Sequence, residues 1–241
     1  MKHFKEKAPY MGLHPDLLLL SDSALPTGSF SHSNGLETFI ARGEEDLQGQ
    51  LGTFVSESLA KVDGPAFVLA YRAFDAGDFD ELLELDRSVH AMKLPREWRE
   101  AGAQTGRRLL AVGDTLCEVN PELAPPPLWS EYREMVRSGE TPGQYPVAAG
   151  VIYCLLGIRL PDAALAYAIA AVKNLVGAVI RLVPLGQTEG LKLQYTVNGL
   201  VKQIVPTMLK VQSAEELGGF APSLEMAGMA HEKLYTRLFI S

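Results

Sequence analysis

The chain has 241 residues, 47% of them hydrophobic and 21% charged, a composition that supports one large folded domain or two small ones with a substantial core. A formal net charge of −7 excludes the basic footprint on which non-specific nucleic-acid binding rests. The two cysteines, Cys117 and Cys154, have no CxxC spacing and MKHFKEKAPY lacks a signal peptide's apolar run, so free thiols in a reducing cytosol and a flexible leader over 1–15 are expected.

Helical periodicity dominates from there on. The apolar run Leu17–Leu20 sits in a short helix expected over 16–23, after Pro15. A loop of small and polar residues follows, Asp22 to Asn34, with serines at 23, 29, 31 and 33 around His32 and with Pro26, Gly28 and then Gly35 shaping its backbone. Leu36–Ala41 reads as a helix stopped by Gly43. Leu47, Leu51, Phe54, Val55, Leu59 and Val62 recur at spacings of three and four, an amphipathic helix that Gly64-Pro65 is expected to break. Helix resumes over Ala66–Ala76 and ends at Gly77, and Asp78 is placed to cap the next one. Pro95 suits the first position of a helix reaching Thr115, whose glycines at 102, 106 and 113 mean either weak structure or close packing. Asn120–Pro127, with four prolines, is an irregular connection; helix is expected again over Leu128–Ser138, a turn over Gly139–Gly143, and an apolar helix from Tyr145-Pro146 to about Leu156.

Pro161-Asp162 opens the most hydrophobic element, with Leu165, Ile169, Val172, Val176, Val179 and Val183 as one stripe. Lys173 and Asn174 at its middle argue against a membrane span and for a central core helix. Pro184 and Gly186 end it, Thr188 is a candidate cap for a helix that Pro206 interrupts or kinks before it continues to about Gln212, and 213–222 reads as a loop. The last segment begins helical and ends in an apolar tail, Leu238-Phe239-Ile240. The expected fold is all-α: a single-domain bundle of about ten helices over 16–222, followed by a C-terminal helix and partner-binding tail over 223–241.

Each catalytic pattern fails on spacing. His231-Glu232-Lys233-Leu234-Tyr235 lacks the second histidine of HExxH, and Ser31-His32-Ser33-Asn34-Gly35 lacks both the first glycine of GxSxG and a strand to precede it. No phosphate-binding GxxxxGK[ST] is present. Five histidines are scattered singly, so no catalytic residue, metal ligand or cofactor is assigned. The tail has two readings: it folds back onto the core, or it orders on a partner with Phe239 and Leu238 as anchors.

The segment DSALPTGSFSHSNGLET resembles the N-terminal signature of the urease accessory protein F (UreF) family, through Asp22, Ser23, Pro26, Gly28, Phe30, His32, Ser33, Gly35, Leu36 and Glu37. Arg181 to Gln187, RLVPLGQ, is similar to a second element of that family, and HEKLYTRLFIS to its closing HExxYSRLFxS, with Thr236 where serine is common. The resemblance implies a cytoplasmic, all-α, non-enzymatic homodimer that binds the urease accessory protein D (or H). The resemblance further implies recruitment of the GTPase G, as activator or as fidelity gate, for GTP-dependent nickel insertion into apo-urease.

By position, it assigns Tyr235, Arg237, Leu238 and Phe239 to the tail that binds D/H, and Arg181 to the face toward the GTPase. Ser23, His32, Ser33 and Glu37 either contact a partner or bond internally, while Pro26, Gly28, Gly35, Pro184 and Gly186 are conformational. Two alternatives stand beside it: a metallochaperone that binds nickel directly, and a small helical hydrolase built on Asp22, His32 and Ser33. Nucleic acid and membrane are not expected partners.

Overall fold

The computed structural model describes residues 14–22, 25–44 and 46–241; most of the expected leader, and Ser23, lie outside the described residues. Among the described residues all regular structure is helical. The α-helices are α1 (Pro15–Leu20), α2 (Leu36–Ala41), α3 (Leu47–Thr53), α4 (Gly64–Ala76), α5 (Phe79–Met92) and α6 (Arg96–Val119), then α7 (Pro127–Ser138), α8 (Tyr145–Leu155), α9 (Leu160–Leu182), α10 (Gln187–Met208) and α11 (Pro222–His231). The all-α reading is correct.

Local signals act where the sequence places them. Asp78 accepts a hydrogen bond from Glu81 N at 3.0 Å, which caps α5, and Gly77 ends α4 in the left-handed region. Gly64-Pro65, in contrast, breaks nothing. The chain runs from α3 through a ten-residue π-helical stretch, Phe54–Asp63, straight into α4. Gly64 N bonds Leu59 O, five residues back. Pro65 cannot donate to the preceding turn, and the Lys61 carbonyl four residues back accepts from Gly218 N at 3.1 Å instead. Three boundaries also differ. Pro95 is the cap of α6 rather than its first residue, α10 is capped by Gly186 rather than Thr188, and α10 passes through Pro206 to stop at Met208. So close to a helix end, a proline disturbs little of the hydrogen-bond ladder.

The centre of the core is also displaced from its expected place. α4 and α8 form the innermost pair, and every residue of α8 from Pro146 to Leu155 is buried. α9 lies to one side, against α10 and α4. Of the expected stripe, Val172, Val176 and Val179 are buried, but Leu165 is 37% exposed. Tyr167, Ala168 and Leu175 complete the buried face instead. Hydrophobicity all round α9 concealed which side faces in. Phe67, Tyr153 and Tyr167 join the three helices, with Phe67 stacked on Tyr167 at 4.5 Å and edge-on to Tyr153 at 5.3 Å. The glycines of α6 are sites of close packing, since a Cβ at 102, 106 or 113 would meet Gln144, the Gly143–Tyr145 backbone, or Ile152 and Trp129.

A buried carboxylate fixes the start of α8. Asp86 of α5 is inaccessible to solvent and accepts from Thr141 Oγ1 (2.7 Å), Gly143 N (2.7 Å) and Gln144 N (2.6 Å). Burial raises its pKa, and the three donors oppose that shift. Asp86→Asn turns one acceptor into an NH2 that faces a donor. We expect a loss of about 1–3 kcal/mol of stability, read by urea denaturation followed by circular dichroism.

Candidate functional site

The apolar tail folds back onto the Asp22–Asn34 loop and α2. The loop is shaped for it by backbone constraint. Gly28 has φ +75° and Gly35 φ +85°, and a Cβ at Gly35 would also lie 3.1 Å from Leu224 O and 3.2 Å from Gly228 N. That close approach sets α2 against α11, where Thr38 Oγ1 donates to Ala227 O at 2.9 Å. Pro26 sits exposed in the turn before Gly28. In the RLVPLGQ element, Pro184 keeps Val183 extended at the end of α9, whereas Gly186, at φ −65°, uses no conformation reserved for glycine.

Backbone pairing holds the tail along the loop. Ile240 N donates to Ser31 O at 2.9 Å, and Ser33 N and Ser33 Oγ donate to Ser241 O at 2.5 and 3.0 Å. His32 Nδ1 lies 2.8 Å from Ser241 Oγ. The His32 pKa is pushed down to about 4, by burial first and by the Arg108 charge second, so the ring is neutral at physiological pH. Both His32 and Ser33 are buried and spend these hydrogen bonds on Ser241; Asp22 is exposed. The hydrolase reading gains no support from this geometry.

Glu37, in the first turn of α2, is the hub. Its Oε1 accepts from Leu238 N (2.6 Å); its Oε2 accepts from Phe239 N (3.1 Å) and lies 2.9 Å from His231 Nε2. On the other side of that ring Nδ1 meets Glu97 Oε2 at 2.6 Å, and Glu97 Oε1 accepts from Arg237 Nη1 at 2.7 Å. The tail leaves this hub with alternating faces. Phe239 is 4% exposed, turned into the protein, while Tyr235, Leu238 and Ile240 are exposed at 104%, 63% and 59%. Among the described residues, no group of three or more His, Cys, Asp or Glu side chains is arranged to hold a metal ion.

Arg181, from α9, closes the other side of the tail. Its guanidinium lies over the Phe239 ring, 4.4 Å from the centroid, and 6.0 Å from that of Phe30. It donates to Gly177 O at 3.1 Å and to Phe30 O. Burial lowers its pKa from the ordinary arginine value. Beside it, between α9 and α10, opens a cleft of about 540 Å³ lined by Phe30, Ile180, Leu191 and Asn198 among others.

The structure thus brings His32, Ser33, Glu37, Arg181, Arg237, Leu238 and Phe239 into one region. It leaves Tyr235 projecting into solvent and Gly186 outside that network. Two participants escaped sequence reasoning. His231 stands at the head of the closing motif and in a failed HExxH pattern, but neither assigns it a role. Glu97 lies mid-chain in α6, some 134 positions from its partner, and carries no local signal. We expect Glu37→Ala to free the tail, since the Leu238 and Phe239 amides lose their buried acceptor together. Limited proteolysis should then cut at Arg237 at least tenfold faster, with the helical core intact.

A family model for UreF matches residues 41–198, a span that includes Arg181 but neither the loop nor the tail. Curated relatives extend further. The urease accessory protein UreF of Arthrobacter sp. (strain FB24) is 36% identical over 226 residues, covering 92% of this chain and 94% of its own. That of Paenarthrobacter aurescens (strain TC1) is 35% identical over 226 residues, with 92% and 95% covered. That of Bacillus sp. (strain TB-90) is 31% identical over 229 residues, with 93% and 97% covered. A helical bundle of this length, matched almost end to end, leaves one conclusion: the chain belongs to the UreF family of urease accessory proteins.

Proposed function

We propose that the protein is a non-enzymatic, cytoplasmic scaffold of urease maturation that acts as a homodimer. It binds the accessory protein D/H through its tail and recruits the GTPase G near Arg181, enabling GTP-dependent nickel insertion into apo-urease. The observation that carries this reading is the tail's conformation. Its main chain is pinned by Glu37, Ser31 and Ser33, yet Tyr235, Leu238 and Ile240 point outward. A pre-ordered apolar strip loses little conformational entropy on binding, which favours its use as an interface. Phe239, the expected anchor, serves inside the chain, so Leu238 and Tyr235 take that role in this reading. The tail's neighbour Arg181 links the two proposed faces, because the same guanidinium covers Phe239 and edges the α9–α10 cleft.

Two variants test the division of labour. Tyr235→Ala combined with Leu238→Asp removes exposed side chains and leaves the Glu37 bonds in place. It should abolish co-purification of D/H from cells carrying the urease operon while preserving the dimer on size-exclusion chromatography with light scattering; retained D/H would contradict the tail assignment. Arg181→Ala should weaken recovery of the GTPase by about tenfold or more and spare D/H. Undiminished GTPase recovery and urease activation would remove the role given to Arg181.

A further inference from the structure

His231 ends α11, and its ring is completely buried between two carboxylates. Glu97 Oε2 of α6 faces Nδ1 at 2.6 Å, and Glu37 Oε2 of α2 faces Nε2 at 2.9 Å. A neutral imidazole has a single N–H. It satisfies one of these contacts and sets a lone pair against a carboxylate oxygen at the other. Both become hydrogen bonds only when the cluster holds one proton more than a neutral ring and two carboxylates, that is, when both ring nitrogens are donors. The ring's place at a helix C-terminus favours the same charge.

The surrounding charges do not supply a substitute donor. From the tail, Arg237 bonds the other oxygen of Glu97. Arg96, on α6, is engaged with Glu232 just after α11 and with Glu100. From the loop, His32 is already neutral throughout the physiological range, with its pKa held at about 4 chiefly by burial and then by Arg108.

The same Glu37 carboxylate accepts the N–H groups of Leu238 and Phe239. Glu97 holds the same segment through Arg237, so whichever carboxylate loses its donor when the extra proton leaves, repulsion falls on a point where the tail is anchored. We propose that His231 is a proton-operated latch: with the proton the tail is held against α2 and the loop, and without it the tail is let go. The sign follows from linkage. The docked form holds the additional proton, so docking is favoured at low pH and lost as pH rises past the point where the cluster gives it up. The latch is a property of the chain alone and goes beyond the partner assignments, so it stands or falls separately from them.

Amide hydrogen exchange of the full-length chain, read by mass spectrometry from pH 6 to pH 9 and normalised to the intrinsic exchange rate at each pH, tests it. Leu238 and Phe239 amides report the latch directly, and α4 and α8 report global stability. Wild-type protection at 238–239 should fall by about tenfold or more across the range while α4 and α8 stay protected. Glu97→Gln should abolish the dependence. The amide NH2 introduced there donates to Nδ1 of a neutral ring, Nε2–H of His231 donates to Glu37, and the amide oxygen still accepts from Arg237. A flat wild-type profile, or an unchanged slope in Glu97→Gln, overturns the proposal. Should that variant not fold, 15N spectra of the wild-type imidazoles decide: a docked tail beside a neutral His231 ring overturns it, and two protonated ring nitrogens support it.

Discussion

The side chain of Glu37 is almost wholly buried, and the amides of Leu238 and Phe239 and the Nε2 of His231 converge on it from the tail and from a helix end. A carboxyl group in such a place is tolerable only while those partners stay, since the alternative is an unpaired polar group in a low-dielectric interior. Other features depend on that constraint. It sets the register of the tail, so that residue 239 points inward and 238 and 240 outward. Phe239 then meets Arg181, which reaches back to the Phe30 carbonyl and orders the loop that Gly28 and Gly35 shape. One acidic side chain thereby governs a surface made from α2, α9, α11, the loop and the last residues.

The loop's polarity takes on a different meaning in this light. Serine, histidine and glycine in a short stretch suggest chemistry, yet His32 and Ser33 spend their hydrogen-bonding capacity on Ser241. These residues are adhesive for a backbone that has no helical partner of its own. A tail with no regular structure must place its N–H and C=O groups somewhere, and the loop supplies the acceptors and donors.

Much of the architecture was readable because it is local. Helix patterning, the Asp78 cap and the Gly77 stop depend on residues a few positions apart, and the structure keeps them all. Gly64-Pro65 misled because the π-helical stretch carries the helix through it, and the Lys61 carbonyl that proline cannot serve is taken by Gly218 N, far away in sequence. α9 misled because a side chain's hydrophobicity does not say which neighbour covers it; α8, equally apolar, has α4 on one side and α6 on another. The tail motif and the loop motif were each recognisable, but their meeting was not. It depends on Glu97, which belongs to neither motif, and on contacts spanning some 190 to 210 positions.

That separation bears on when the surface comes into being. Chains are made in order, and contacts between residues near 35 and residues near 240 carry the largest loop-closure cost in the fold. The innermost pair, α4 and α8, is joined across a much shorter stretch of chain, whereas the loop meets its partners only in the last residues described, where Ser31, Ser33 and Glu37 find theirs. The surface therefore carries the longest loop closures in the fold and depends on segments that the core helices do not need. Residues 238–241 supply the partners of Ser31, Ser33 and Glu37 but none of the α4–α8 packing, so the clasp can open without disturbing the centre of the core.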